Sequence, residues 1–223
     1  MYYELALVAF LVTIIAQLWI KSNYKKFLES KISIDLTGAE IARKILDRNG
    51  LADVKVNITQ GLLSDHYDPR NRTVNLSQEI YSTKTITAGA VAAHECGHAI
   101  QHKVGYLPLK FRSSLVPLVN FSSYAGYLAI MIGVLSSWLE LIYLGILLEC
   151  IILLFELVTL PVEFDASKRG LKELNKGFLV KDEINGAKKV LTSAAFTYVA
   201  SVANTALQIL RLLLIFGNRR RSR

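Results

Sequence analysis

The stretch Val91-Ala92-Ala93-His94-Glu95-Cys96-Gly97-His98-Ala99-Ile100-Gln101-His102-Lys103 decides how the rest of the chain is read. From Thr85 to Lys103 there is no proline, and Ala, Ile, Val, Glu and Gln abound, so the span can be helical, with Gly105 ending it. On such a helix His94 and His98 share a face one turn apart, which lets two ring nitrogens meet one zinc ion. Glu95 is one position along. It therefore flanks the metal rather than binding it, and it can take a proton from a water activated there. Cys96 points roughly 200° around the helix from His94 and reads as a packing residue. The small apolar neighbours Val91, Ala92, Ala93, Ala99 and Ile100 suit a buried metal helix.

A catalytic zinc keeps three protein ligands and one open position, so a third ligand is required. His102 lies on the same straight helix but about 6 Å further along its axis than His98, too far to share the ion. It reads as a polar residue at the helix end. His66, within Ser64-Asp65-His66-Tyr67-Asp68, is a loop histidine and a candidate for touching substrate or the transition state. Glu163 stands out among the carboxylates because it directly follows a long apolar run. Two membrane crossings in that run return the chain to the side where the zinc helix lies.

The apolar runs set the architecture. Of 223 residues, 52% are hydrophobic and 20% charged, which is greasier than an ordinary soluble domain. Residues 5–20, LALVAFLVTIIAQLWI, are bracketed by Tyr2, Tyr3 and Trp19 and followed by Lys21, Lys25, Lys26 and Lys31, as a transmembrane anchor would be. A cleavable signal peptide would need positive charge before the run and a small-residue site after it, whereas Glu4 precedes and basic residues follow. From Leu115 to Leu160 the chain is nearly all apolar, broken at Ser136-Ser137-Trp138-Leu139-Glu140, and this predicts a hairpin of two transmembrane helices. The last apolar segment, Leu191 to Phe216, carries Ser193, Thr197, Ser201, Asn204, Gln208 and Arg211 as one polar stripe. It either crosses the membrane against other helices or lies along its surface. Glu149, Glu156 and Glu163 are spaced seven apart, so one helix would present them on one stripe, and, provided the last segment crosses, Glu149 is expected to face Asn204 or Gln208 rather than lipid.

The net charge of +8 clusters beside these runs, including Arg219, Arg220, Arg221 and Arg223, as juxtamembrane anchors do. No aromatic-interleaved basic face accompanies it, so no nucleic-acid partner is expected. Cys96 and Cys150 suggest no disulfide framework and fit a reducing compartment.

Residues 33–113 read as a water-exposed mixed α/β segment. Thr37 and Glu40 make a capping box ahead of Ile41, Ile45 and Leu46, and that helix should stop near Asn49 and Gly50. Val54 to Ile58 and Thr73 to Leu76 alternate like strands on either side of the turn residues Asp68-Pro69-Arg70-Asn71, so a small sheet with a hairpin is expected.

His94 to His102, together with Asp65-His66-Tyr67-Asp68-Pro69-Arg70 and Thr159-Leu160-Pro161-Val162-Glu163-Phe164-Asp165-Ala166-Ser167, resembles the YugP-like family of bacterial membrane zinc metallopeptidases. The resemblance covers nearly the whole chain and implies a glutamate-zincin, with His94, His98 and Glu163 on the zinc and Glu95 as catalytic base. That family is more distantly similar to membrane peptidases of the HtpX kind, whose third ligand is the glutamate of an ExxxD motif. Here Ser167 stands where the aspartate would be, so Ser167 or Asp165 is left to hydrogen-bond a ligand histidine.

The expected fold is thus an α+β membrane protein with a small zincin-like (gluzincin) domain interrupted by a transmembrane hairpin. Its parts are an anchor (1–20), a first part of the peptidase domain (21–113), the hairpin (114–160), a second part with the third ligand (161–190), and a C-terminal apolar helix with basic tail (191–223). The expected cofactor is one Zn2+ per chain. Expected partners are a peptide or membrane-protein substrate, the bilayer, and membrane-protein partners or further copies. The expected location is the bacterial cytoplasmic membrane, with the active site on the cytoplasmic side. An extended substrate is expected to pair with the Thr73 to Leu76 strand or its hairpin neighbour.

Overall fold

The computed structural model describes residues 2–217, with Tyr2 as backbone alone; the arginine cluster Arg219, Arg220, Arg221 and Arg223 lies outside the described residues. The N-terminal apolar run forms one helix with Lys21, Lys25 and Lys26, α1 (Tyr2–Leu28), and Lys31 lies beyond its end. α2 (Gly38–Arg48) starts at the capping box. Glu40 N–H donates to Thr37 Oγ1 at 3.3 Å, and Thr37 N–H returns a bond to Glu40 Oε2 at 2.8 Å. It ends at Asn49, followed by Gly50 in the left-handed region, and its Ile41, Ile45 and Leu46 are fully buried.

Strands β1 (Lys55–Thr59), β2 (His66–Asp68) and β3 (Thr73–Ser77) form a sheet in the order β1-β3-β2. The hairpin is β2 against β3, antiparallel, with Tyr67 opposite Val74, while β1 runs parallel to β3 with Val56 opposite Val74. The alternating stretch near Val54 to Ile58 is therefore a parallel neighbour of β3 and not its hairpin partner. The turn itself explains this. Asp68 accepts Arg70 N–H at 2.8 Å and Asn71 Nδ2–H at 2.7 Å, and Arg72 takes a positive φ, so the chain reverses immediately beside His66–Asp68. That short strand has no apolar alternation to mark it in the sequence.

A short helix, α3 (Gln78–Ser82), leads to α4 (Ile86–Lys103), whose first turn is capped by Thr85 accepting Ala88 N–H. Most of α4 is buried, and its alanines join Ile41, Ile45, Leu46, Val74 and Leu76 in one core. A helix enclosed this way has room only for small side chains.

Helix α5 (Leu107–Leu135) and α6 (Leu139–Leu174) are joined by a turn at Ser136–Trp138 in which Ser137 has a φ of 56°. α6 does not stop at the edge of the apolar run: Pro161 lies inside it, and the helix continues through Glu163 to Leu174. The three glutamates Glu149, Glu156 and Glu163 are accordingly on one helix. The last element, α7 (Lys181–Gly217), begins ten residues before the apolar segment, because its first turn is fixed by Glu183, whose Oε2 accepts Val180 N–H at 3.0 Å and whose Oε1 accepts Ser33 N–H at 2.5 Å.

The chain divides into two compact units. One comprises Leu18–Leu109 and Pro161–Ala195 and contains the sheet and α4. The other comprises Met1–Gln17, Lys110–Leu160 and Phe196–Arg223. In this second unit a Cβ on Gly145 would lie 2.9 Å from the Gly126 carbonyl oxygen, so α5 and α6 pack backbone to backbone. Ser201 on α7 donates to Glu156 Oε1 at 2.6 Å, and Glu149 lines a cavity of about 480 Å³ together with Gln208 and Arg211. Among the described residues, α1, α5, α6 and α7 are long and apolar enough to cross a membrane.

Candidate metal centre

On α4 the rings of His94 and His98 meet edge to face, with centroids 4.8 Å apart and planes at 86°. α6 places Glu163 against both. Its Oε2 lies 3.3 Å from His94 Nε2 and 3.6 Å from His98 Nε2. Among the described residues these three form a group whose ligand atoms all lie within 4.8 Å of one another. The Glu163 side chain is 5% exposed, against 16% and 12% for the two imidazole side chains, so the carboxylate is the most deeply buried of the three.

The approach of α6 to α4 depends on missing side chains. A Cβ on Gly97 would collide with the Ala166 carbonyl, and one on Gly170 would lie 2.7 Å from the Ala93 carbonyl oxygen. Ala93 and Gly97 are four apart on α4, as Ala166 and Gly170 are on α6, and the two small pairs interlock. This pattern is visible in the sequence, but nothing local there says that the two stretches meet.

Around the rings, His94 Nδ1 lies 3.0 Å from Ser167 Oγ, and His98 Nδ1 lies 3.0 Å from Gln101 Oε1. Ser167 is thus the residue in direct contact with a histidine of the group. Asp165 instead accepts Gln101 Nε2–H at 2.9 Å and Arg169 Nε–H at 2.6 Å. Gln101, fully buried, is a member of the site that motif reading did not single out; its signal was a polar side chain three residues after His98 on the face that carries both histidines. Glu95 is 7% exposed. Burial acts to lower the His98 pKa, but the carboxylates of Glu163 and Glu95 and the Gln101 contact outweigh it and raise it above the ordinary imidazole value. Glu95 is therefore within electrostatic reach of the group.

Other candidates lie elsewhere. His66 sits on β2, with Nδ1 2.8 Å from the Ser64 carbonyl and Nε2 3.2 Å from Asn75 Nδ2. His102 Nδ1 pairs with Tyr67 Oη at 2.8 Å, linking β2 to α4. Cys96 points away into the core, where its thiol donates to the Ala42 carbonyl at 3.5 Å and burial pushes its pKa well up.

The profile of a family described as "Putative neutral zinc metallopeptidase" matches residues 2–217. The chain belongs to this family. A Bacillus subtilis (strain 168) protein described as "Putative membrane protease YugP" is 46% identical over 206 residues, covering 92% of each chain. No solved structure matches the chain significantly. The metal in the family's name can be tested against the residues present. Two imidazole nitrogens and a carboxylate oxygen are a donor set that zinc accepts, and a tetrahedral ion with bonds of ~2.0–2.1 Å separates its donors by about 3.3–3.4 Å. The 3.3 and 3.6 Å separations match that edge, and both Nδ1 atoms have partners on the far side of the rings, which leaves each Nε2 for the ion. In this zinc metallopeptidase family member, then, the group fits the metal.

Proposed function

We propose that the protein is a membrane-anchored zinc endopeptidase of the gluzincin type, with zinc held by His94, His98 and Glu163 and with Glu95 as general base. The observation that carries this reading is the convergence of both Nε2 atoms on Glu163 Oε2, a residue of a different helix. One zinc ion per chain would polarise the scissile carbonyl and make water a nucleophile near neutral pH. Glu95 accepts the proton of the attacking water and delivers it to the leaving amine, which must be protonated to depart. Ser167 and Gln101 keep the two rings oriented during this exchange.

An extended peptide adds to the sheet along β2, His66–Asp68, because β3 is paired on both sides and offers no free edge. His66 then lies beside the bound peptide. The peptidase domain is formed by residues 21–113 and 161–190, with the hairpin 114–160 inserted, the anchor 1–20 before it and a C-terminal apolar helix with its basic tail (191–223) after it. The exposed apolar side chains of the long helices, such as Phe10, Phe121 and Leu147, each more than half exposed, suit contact with acyl chains. We take the bilayer to be the bacterial cytoplasmic membrane, with the zinc domain in the cytoplasm as the positive-inside tendency of the lysine-rich segments favours, and the substrate to be a peptide or membrane protein, with other membrane proteins or further copies as partners.

Purification of the full chain in detergent, followed by metal analysis and a peptide-cleavage assay, tests the reading. The expected result is about one zinc per chain and cleavage that a chelator stops and added zinc restores. Cleavage indifferent to chelation would overturn it.

A further inference from the structure

We propose that Gln101 is a positioning residue that sets the tautomer of His98, and that the Arg169–Asp165 pair acts on the metal site through it; this rests on the zinc-site reading above. An amide has one end that donates and one that accepts, and which end is which follows from its neighbours. One end of the Gln101 amide faces two groups that only accept, the Val162 carbonyl at 2.8 Å and Asp165 Oδ2 at 2.9 Å. That end must be the NH2. A flipped amide would press its oxygen against both and leave that oxygen buried without a donor. The oxygen end therefore faces His98 Nδ1 at 3.0 Å and can only accept from it. Nδ1 carries the hydrogen, and the bare lone pair of His98 is on Nε2, the atom 3.6 Å from Glu163 Oε2.

The same logic does not hold for His94. Its partner is the Ser167 hydroxyl, which donates or accepts equally well, so Ser167 orients the ring without selecting a tautomer. Asp165 is in turn held by Arg169, whose Nε–H donates to the same Oδ2 at 2.6 Å and whose guanidinium lies 5.8 Å from the Tyr106 ring centroid. The sequence signature of this relay is His98 with Gln101 three residues later on α4, and Asp165 with Arg169 four residues later on α6. Gln101 is fully buried, and its side chain bonds to His98, Val162 and Asp165.

The test is zinc affinity, measured by chelator competition on the detergent-purified full chain, with Co2+-loaded protein giving a ligand-field spectrum as a second readout. Gln101→Met keeps the shape but cannot accept the His98 N–H; zinc affinity should fall by on the order of 10- to 100-fold and the Co2+ spectrum should shift. Asp165→Ala should weaken zinc by roughly ten-fold although it touches neither histidine. The double variant Gln101→Met/Asp165→Ala should be no weaker than Gln101→Met alone, because both act on one path. Affinity unchanged in Gln101→Met, or losses that multiply in the double variant, would overturn the proposal. If Gln101→Met does not fold, Asp165→Ala decides, and unchanged affinity there overturns it as well. His94→Ala separates this inference from its foundation. Loss of zinc in His94→Ala with full affinity in Gln101→Met defeats the relay alone, while full affinity in His94→Ala defeats the zinc site itself.

Discussion

Glu95 and Glu163 are both buried carboxylates beside the same histidines, and the proposed mechanism gives them different work. Glu163 Oε2 faces both Nε2 atoms, as a ligand must, whereas Glu95 is on the helix next to them. Glu95→Gln should therefore retain zinc and lose at least ~10²-fold in peptide cleavage, because the amide keeps the shape but cannot accept a proton. Glu163→Ala and His94→Ala should lose zinc and activity together. Metal content measured beside cleavage separates the two roles, and undiminished cleavage by Glu95→Gln would overturn the mechanism. Ser167 offers a finer case. Ser167→Ala removes the partner of His94 Nδ1 and should weaken zinc by roughly ten-fold, while Ser167→Asp, which supplies an acceptor for the ring N–H, should bind zinc at least as tightly as the parent. Weaker zinc in Ser167→Asp than in Ser167→Ala would show that the hydroxyl donates to the ring.

At the scale of elements, the crossing of α4 and α6 holds the site together. Gly97 and Gly170 leave no space for a methyl group, so Gly97→Ala or Gly170→Ala must push the helices apart or distort them. Overpacking of this kind costs about 1–3 kcal/mol. The expected outcome is a lower unfolding temperature in detergent together with reduced zinc affinity, since Glu163 moves away with α6. The capping box of α2 provides a contrast. Thr37→Ala should cost about 1 kcal/mol through the lost cap, yet leave zinc affinity unchanged, because α2 contributes no atom to the metal group. If zinc affinity fell equally in the Gly97 and Thr37 variants, global destabilisation rather than helix separation would be the cause.

At the scale of the whole molecule, the long helices and the +8 charge bear on how the chain meets a bilayer. The protein should remain with membranes after alkaline washing, because its apolar helices are too long and too exposed to be stable in water. If the zinc domain lies in the cytoplasm as proposed, a Lys172→Cys variant in a background lacking Cys96 and Cys150 should resist an impermeant maleimide added to intact cells and react once the cells are opened. Strong labelling in intact cells would place the domain on the other face. Full crossing by α7 would then carry its C-terminal end to the side opposite the zinc domain, and the same labelling at Gly217→Cys reads that directly.

The sequence by itself determined what depends on short-range geometry. One helical turn separates His94 from His98, so their shared face and the flanking place of Glu95 follow from spacing alone. The Thr37 cap, the end of α4 near Gly105 and the break at Ser136–Trp138 are equally local and equally legible. Glu163 was reachable only through resemblance and the even number of crossings before it. The tertiary structure alone decided the rest: that β1 lies parallel to β3, that Ser167 and not Asp165 touches a histidine, and that Gln101 joins His98 to Asp165. Each of these depends on the rotation and distance of one element against another far away in the chain. That placement is set by where two backbones can come into contact, and no window of neighbouring residues contains it.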